Sequence, residues 1–166
     1  MRSYTWCCLL FFIYTLPAAA QQKAARPAVK ITGEVITPLT IYADSLAQWP
    51  RATITMNDRD NKAHSYTGIP VQVIFEKAGV TTGKQLRGKN LTKLVLVKCA
   101  DGYEVVFSLA ELDSSFTNRQ VILATETDGH TLPAEKGPFR LVVPGEKKPA
   151  RSCFQVTDII IQFAKE

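Results

Sequence analysis

KCADGYEVVFSLAEL, Lys98 to Leu112, sets an Asp-Gly pair between two apolar runs and follows them with a Ser-Leu-Ala-Glu step. Asp-Gly tolerates the positive φ angles of tight hairpin turns, so KLVLVKC and the run from Tyr103 to Phe107 read as two antiparallel strands. A two-residue turn would set Ala100 against Tyr103 and Cys99 against Glu104. Side chains then divide by parity, with Val95, Val97 and Cys99 on one face and Leu94, Leu96 and Lys98 on the other. Both sets are apolar away from the tip, which predicts a strand pair buried on both sides with Cys99 at the rim of the core. Ser108 to Glu111 matches a capping box, in which a hydroxyl and a carboxylate three residues apart satisfy the first amides of a helical turn.

The flanking sequence has the same texture. VKITGEV, LTIY and ATITM are strand-like, and ATITM joins AHSYTG through the polar turn NDRDNK to make a hairpin over Ala52 to Gly68. Pro70 opens a short helix in which Val71, Ile74, Phe75 and Ala78 recur at helical spacing and Gly79 supplies the stop. Ser45 to Gln48 repeats the capping-box pattern. QVILAT, FRLVV and VTDIIIQF add further strands. No repeat, low-complexity tract or long linker divides the chain, so the expectation is one α+β domain on a mixed or mostly antiparallel sheet with a few short helices.

The first residues, MRSYTWCCLLFFIYTLPAAA, combine Arg2, an apolar run and Ala18-Ala19-Ala20, the arrangement of a secretory signal peptide. The expected organisation is a leader over 1–20, a loose lead-in over 21–29 and the domain over 30–166. The apolar run falls short of the roughly 18 residues that span a bilayer, and no later segment reaches that length, so no transmembrane segment is expected in the mature chain. A periplasmic or secreted protein follows. Cys7 and Cys8 would leave with the leader, and Cys99 and Cys153 would remain, free or bridged. The net charge of +5 falls to about +4 without Arg2, and acids alternate with bases, which argues against a nucleic-acid partner. The local exception is the basic stretch GEKKPAR, either a solvated loop or a phosphate site. His64 and His130 have no metal-ligand spacing and read as surface residues. Glu111 and Asp113 belong to a helix start rather than a catalytic couple. Asn90-Leu91-Thr92 is a glycosylation sequon.

ITGEVITPLTIYADSLAQWP, YTGIPVQVIFEKAG, ADGYEVVFSLAELD and DGHTLPAEKGPFRLVVPGEKKPAR, in this order and spacing, resemble the oxidoreductase molybdopterin-binding domain, the sulfite oxidase fold, in a small stand-alone exported form. The resemblance runs from about Ile31 to Phe163. It implies a β-rich mixed sheet of that type and, if the chain is active, a molybdopterin-dependent oxidoreductase. Catalytic members bind molybdenum through a cysteine at a strand end, and the matching position is Cys99, with Asp101, Gly102 and Tyr103 as pocket candidates beside it. Arg140 matches an arginine directed toward the cofactor, and Arg151 falls in the segment that holds its phosphate. The departures are equally specific. Phe154 stands where those enzymes place a lysine, ADGYEV replaces an arginine-rich stretch, and many small relatives carry alanine at the position of Cys99. No catalytic residue is assigned. Two readings stay open: a molybdenum-pterin oxidoreductase, or a component of one with a redox partner protein, and a cofactor-free module that keeps the fold and binds a small-molecule ligand or a partner protein. A third is thiol redox chemistry through Cys99 and Cys153.

Overall fold

The computed structural model describes residues 26–164. The expected leader, including Cys7 and Cys8, lies outside the described residues. Two five-stranded sheets carry the chain. The first has the order β2-β1-β10-β5-β6, formed by β1 (Ala28–Gly33), β2 (Leu39–Tyr42), β5 (Lys93–Cys99), β6 (Glu104–Ser108) and β10 (Val156–Phe163). Only β1 and β10 run parallel, which makes this sheet mixed. The second sheet runs β3 (Ala52–Asn57), β4 (Ala63–Pro70), β7 (Ile122–Thr127) and β8 (His130–Thr131), with β9 (Arg140–Val142) also paired to β7. β1 takes up the last two residues of the expected lead-in.

Alternation along the strands builds the core. Val29, Ile31, Val95, Val97, Phe107, Ile159 and Ile161 point from the first sheet toward Ile69, Leu123, Leu141 and Val143 of the second, and all are buried. Helix α1 (Val71–Ala78) closes the core with the four residues its periodicity marks, Val71, Ile74, Phe75 and Ala78. Gly79 ends it in the left-handed region, at φ 68°. The other face of the second sheet carries a smaller cluster of Met56, Tyr66, Ile122, Ala124 and Val142. Gly68 is required where β4 crosses β7, because a Cβ there would collide with the Leu123 carbonyl and Ala124 Cα.

Three local expectations are corrected. The Asp101-Gly102 hairpin pairs Lys98 with Glu104, one residue out of the expected register, and Cys99 N donates to Tyr103 O at 3.0 Å. The loop is therefore Ala100-Asp101-Gly102, a turn followed by left-handed Gly102 at φ 83°, and the Asp101 carboxylate accepts the Tyr103 amide at 2.9 Å. The β5–β6 pair is buried on one face only: Leu94 and Leu96 are half-buried, and Val106 is 51% exposed. Ser108 forms its capping box with Glu111, but Ser45 does not cap a helix and donates instead to the carbonyl of Tyr42 at 3.0 Å. Among the described residues, no helix is long and apolar enough to cross a membrane.

Candidate functional site: two clefts that share Phe154

The segment 144–155 returns from β9 across the end of β5 and β6 before entering β10. Tyr103 Oη holds it there by donating to Ala150 O at 3.1 Å, and Ala100 N donates to Gln155 O at 2.9 Å. Between this segment and the β3–β4 turn lies a cleft of about 620 Å³, lined by Arg59, Asp101, Tyr103, Lys147, Lys148, Cys153 and Phe154, among others. A second cleft of about 340 Å³ lies on the other side of Phe154 and is lined by His64, Tyr66, Asp128, Lys136 and Arg140. Asp58, Arg59 and Phe154 belong to both.

Arg140 sits on β9, on the outer face of the second sheet, and is 1% exposed. A guanidinium at that depth needs a compensating anion. Asp58, from the β3–β4 turn, supplies it: Nη1 donates to Oδ2 at 2.8 Å and Nη2 to Oδ1 at 3.1 Å, while Nη1 also donates to Tyr66 Oη at 2.6 Å. Tyr66 Oη donates in turn to Asp58 Oδ2 at 2.7 Å. The guanidinium carbon stacks 4.3 Å from the centre of the Phe154 ring and 4.7 Å from that of Tyr66. Burial pushes the Asp58 carboxyl up, but the hydrogen bonds from Arg140 and Tyr66 outweigh it and hold the group well below the usual carboxylate range. Burial first, then the Asp58 carboxylate, pushes the Tyr66 phenol up to about 12.

Arg151, the second expected anion-binding arginine, is also engaged. It pairs with Glu146 and, at 3.0 Å, with Glu111, and its guanidinium lies 4.4 Å over the Phe107 ring. Cys99 ends β5 with 6% exposure. Its thiol faces that of Cys153, whose hydrogen bond lowers the Cys99 pKa while the interaction with Cys99, followed by burial, raises that of Cys153. Both cysteines are free. Of the expected site residues, Asp101 and Tyr103 line the larger cleft and Arg140 the smaller, whereas Cys99, Gly102 and Arg151 line neither.

Arg59, Lys136, Lys147 and Lys148 have no carboxylate within ion-pair distance among the described residues. Lys147 and Lys148 come from the basic stretch singled out in the sequence. His64, read there as a surface residue, is half-buried between two acids, with Nδ1 2.6 Å from Asp128 Oδ2 and Nε2 3.0 Å from Asp60 Oδ2. Those carboxylates, Asp128 first, raise the His64 pKa. Arg140 is marked by the family resemblance, but its partners Asp58 and Tyr66 are not legible from sequence, because Asp58 lies in what reads as an ordinary polar turn. The Asn90 side chain of the sequon is engaged as a donor to Gln85 O at 3.1 Å.

The family description "oxidoreductase molybdopterin binding domain" matches residues 16–161. The chain belongs to that family. No curated protein sequence matches it. Among solved structures, the sulfane dehydrogenase SoxCD from Paracoccus pantotrophus superposes with a TM-score of 0.63 at 22% identity, over 81% of this chain and 37% of that one. The likeness extends the sulfite-oxidase type of fold to this α+β domain, and this chain spans little more than a third of that chain's length.

Membership makes a molybdenum pterin the group to test against this site. The residues expected to hold it do not fit it as they stand. The Cys99 thiol lines neither cleft, Arg140 commits Nη1 and Nη2 to Asp58 and Tyr66 and leaves only its buried Nε without a partner, and Arg151 is engaged by Glu111 and Glu146. Among the described residues, no three His, Cys, Asp or Glu side chains cluster as metal ligands.

Proposed function

We propose that this member of the molybdopterin-binding-domain family acts as an exported ligand-binding module, with the larger cleft as its site and a small anion bearing an aromatic or apolar part as its ligand. The observation that carries this reading is the division among the cations. Arg140 and Arg151 are ion-paired with carboxylates, whereas Arg59, Lys147 and Lys148 edge a cleft of about 620 Å³ without an ion pair of their own and outnumber the Asp58 and Asp101 carboxylates that also line it. Tyr103, Pro149 and Phe154 supply the apolar surface beside them. An anion placed there gains charge-assisted hydrogen bonds from flexible lysines, and a ring gains stacking surface on Phe154. The export part of the reading rests on the N-terminal sequence.

Calorimetry with inorganic phosphate and phenyl phosphate tests the site. Phenyl phosphate is expected to bind more tightly than phosphate, and Lys147→Ala with Lys148→Ala to weaken it at least about tenfold, the scale of one lost charge-assisted hydrogen bond. Equal binding by the variant and the parent sinks the assignment.

A second reading, a molybdenum-pterin oxidoreductase or a component of one served by a redox partner protein, is favoured by the family match and by the position of Cys99 at a strand end. Elemental analysis and pterin fluorescence of protein made in a cofactor-producing host separate the two. Near-stoichiometric molybdenum with pterin would establish the second reading and displace the first.

A further inference from the structure

The two cysteines of the domain are separated widely in sequence, yet the fold delivers them to one place. Cys99 closes β5 directly opposite Val156 of β10, and the neighbouring Ala100 amide is hydrogen-bonded to Gln155 O at 2.9 Å. Cys153 precedes that segment and is fixed independently, since its carbonyl accepts Leu141 N at 2.9 Å. Between them Gln155 takes a left-handed conformation, φ 51°, which turns the chain back toward β5. Both cysteines belong to one buried core cluster and are free, and their mutual interaction lowers the Cys99 pKa and raises that of Cys153. Cys153 also lines the larger cleft, and Cys99 lies behind it.

We propose that Cys99 and Cys153 are a dithiol–disulfide couple beside the ligand cleft. The oxidant is a small organic disulfide or the disulfide of a thiol oxidoreductase. One cysteine sulfur attacks the external disulfide, forming a mixed disulfide and releasing one thiol. The second cysteine sulfur then attacks the first, forming the Cys99–Cys153 bond and releasing the second thiol. Two S–H bonds and one external S–S bond are exchanged for one internal S–S bond and two external thiols, and the protein gives up two electrons. A sulfur engaged in this bond has no thiolate to offer a metal, so oxidation and metal ligation by Cys99 are mutually exclusive. This inference goes beyond the ligand-binding reading and stands without it, since it depends on the cysteines alone.

The test uses the purified full chain. Native protein is equilibrated with hydroxyethyl disulfide, or with dithiothreitol as the control, then denatured, alkylated and peptide-mapped, so that Cys7 and Cys8 are scored apart from the pair. The expected result is one linked peptide containing Cys99 and Cys153 after oxidation, and two alkylated peptides after reduction. In Cys99→Ala, oxidation is expected to stop at a mixed disulfide on Cys153, the cysteine that lines the cleft. Two alkylatable cysteines after native-state oxidation, or mixed disulfides on the parent protein that never resolve to the linked peptide, would overturn the proposal.

Discussion

On the Tyr66 side of Phe154, the buried Arg140 and the half-buried His64 are paired with carboxylates, whereas Arg59 between the clefts and Lys147 and Lys148 on the Tyr103 side make no ion pair, although Asp58 and Asp101 line the same cleft. The difference follows from depth. A guanidinium that is 1% exposed cannot keep its charge without a partner, and the turn carrying Asp58 wraps over it for that purpose. Lysines at a cleft edge remain hydrated and need none. Charge that is neutralised internally holds the fold, and charge left open is available to a ligand.

The strongest way to break this contrast is Asp58→Ala. It leaves Arg140 buried without its anion and is expected to cost about 3–5 kcal/mol of unfolding free energy in chemical denaturation. Replacing both partners, as Asp58→Leu with Arg140→Met, should cost far less than the single change, because no uncompensated charge remains. A double variant as damaged as Asp58→Ala would mean that the pair is valued for shape rather than charge. Acid probes the same link in the parent protein. Since the folded Asp58 carboxyl titrates below its ordinary value of 3.8, its contribution is intact above that pH and is lost as the pH falls below it. Asp58→Asn should therefore flatten the acid limb of the stability curve.

His64 provides a smaller effect of opposite sign. Its pKa is raised by Asp128 and Asp60, so its contribution is fully present below 6.5 and declines as the pH rises through the higher folded value. His64→Gln should remove that slope between neutral and mildly alkaline pH, as thermal melts across that range would reveal. The smallest stability effect is expected on the open side. Lys147→Ala and Lys148→Ala should each stay within about 0.5 kcal/mol of the parent while still weakening anion binding. A large loss of stability there would contradict the division drawn between the two clefts.

Helix α1 and the β3–β4 hairpin were legible because each is specified locally, by the spacing of Val71, Ile74, Phe75 and Ala78 and by alternation around a polar turn. The two Asp-Gly pairs show the limit of such reading. Asp128-Gly129 forms a two-residue turn with both φ angles positive and Thr127 opposite His130. At Asp101-Gly102 only the glycine is left-handed, the aspartate caps Tyr103, and the loop lengthens by one residue. The dipeptide alone does not choose between these forms. The clefts were less legible still. Asp58 meets Arg140 across the second sheet, and Cys99 meets Cys153 across β10, pairings fixed by topology rather than spacing. Phe154 was visible as a departure from the enzymes of the family, but its place between two clefts was not.

The parallel pairing of β1 with β10 also shapes the birth of the protein. β10 is the last of the described strands and the central one of its sheet, hydrogen-bonded to β1 on one side and β5 on the other. During synthesis, β1 waits for β10, and this sheet stays split until β10 emerges. Such long-range closure slows folding relative to locally wired chains. A chain ending before Val156 would lack the strand that joins the two halves of the sheet.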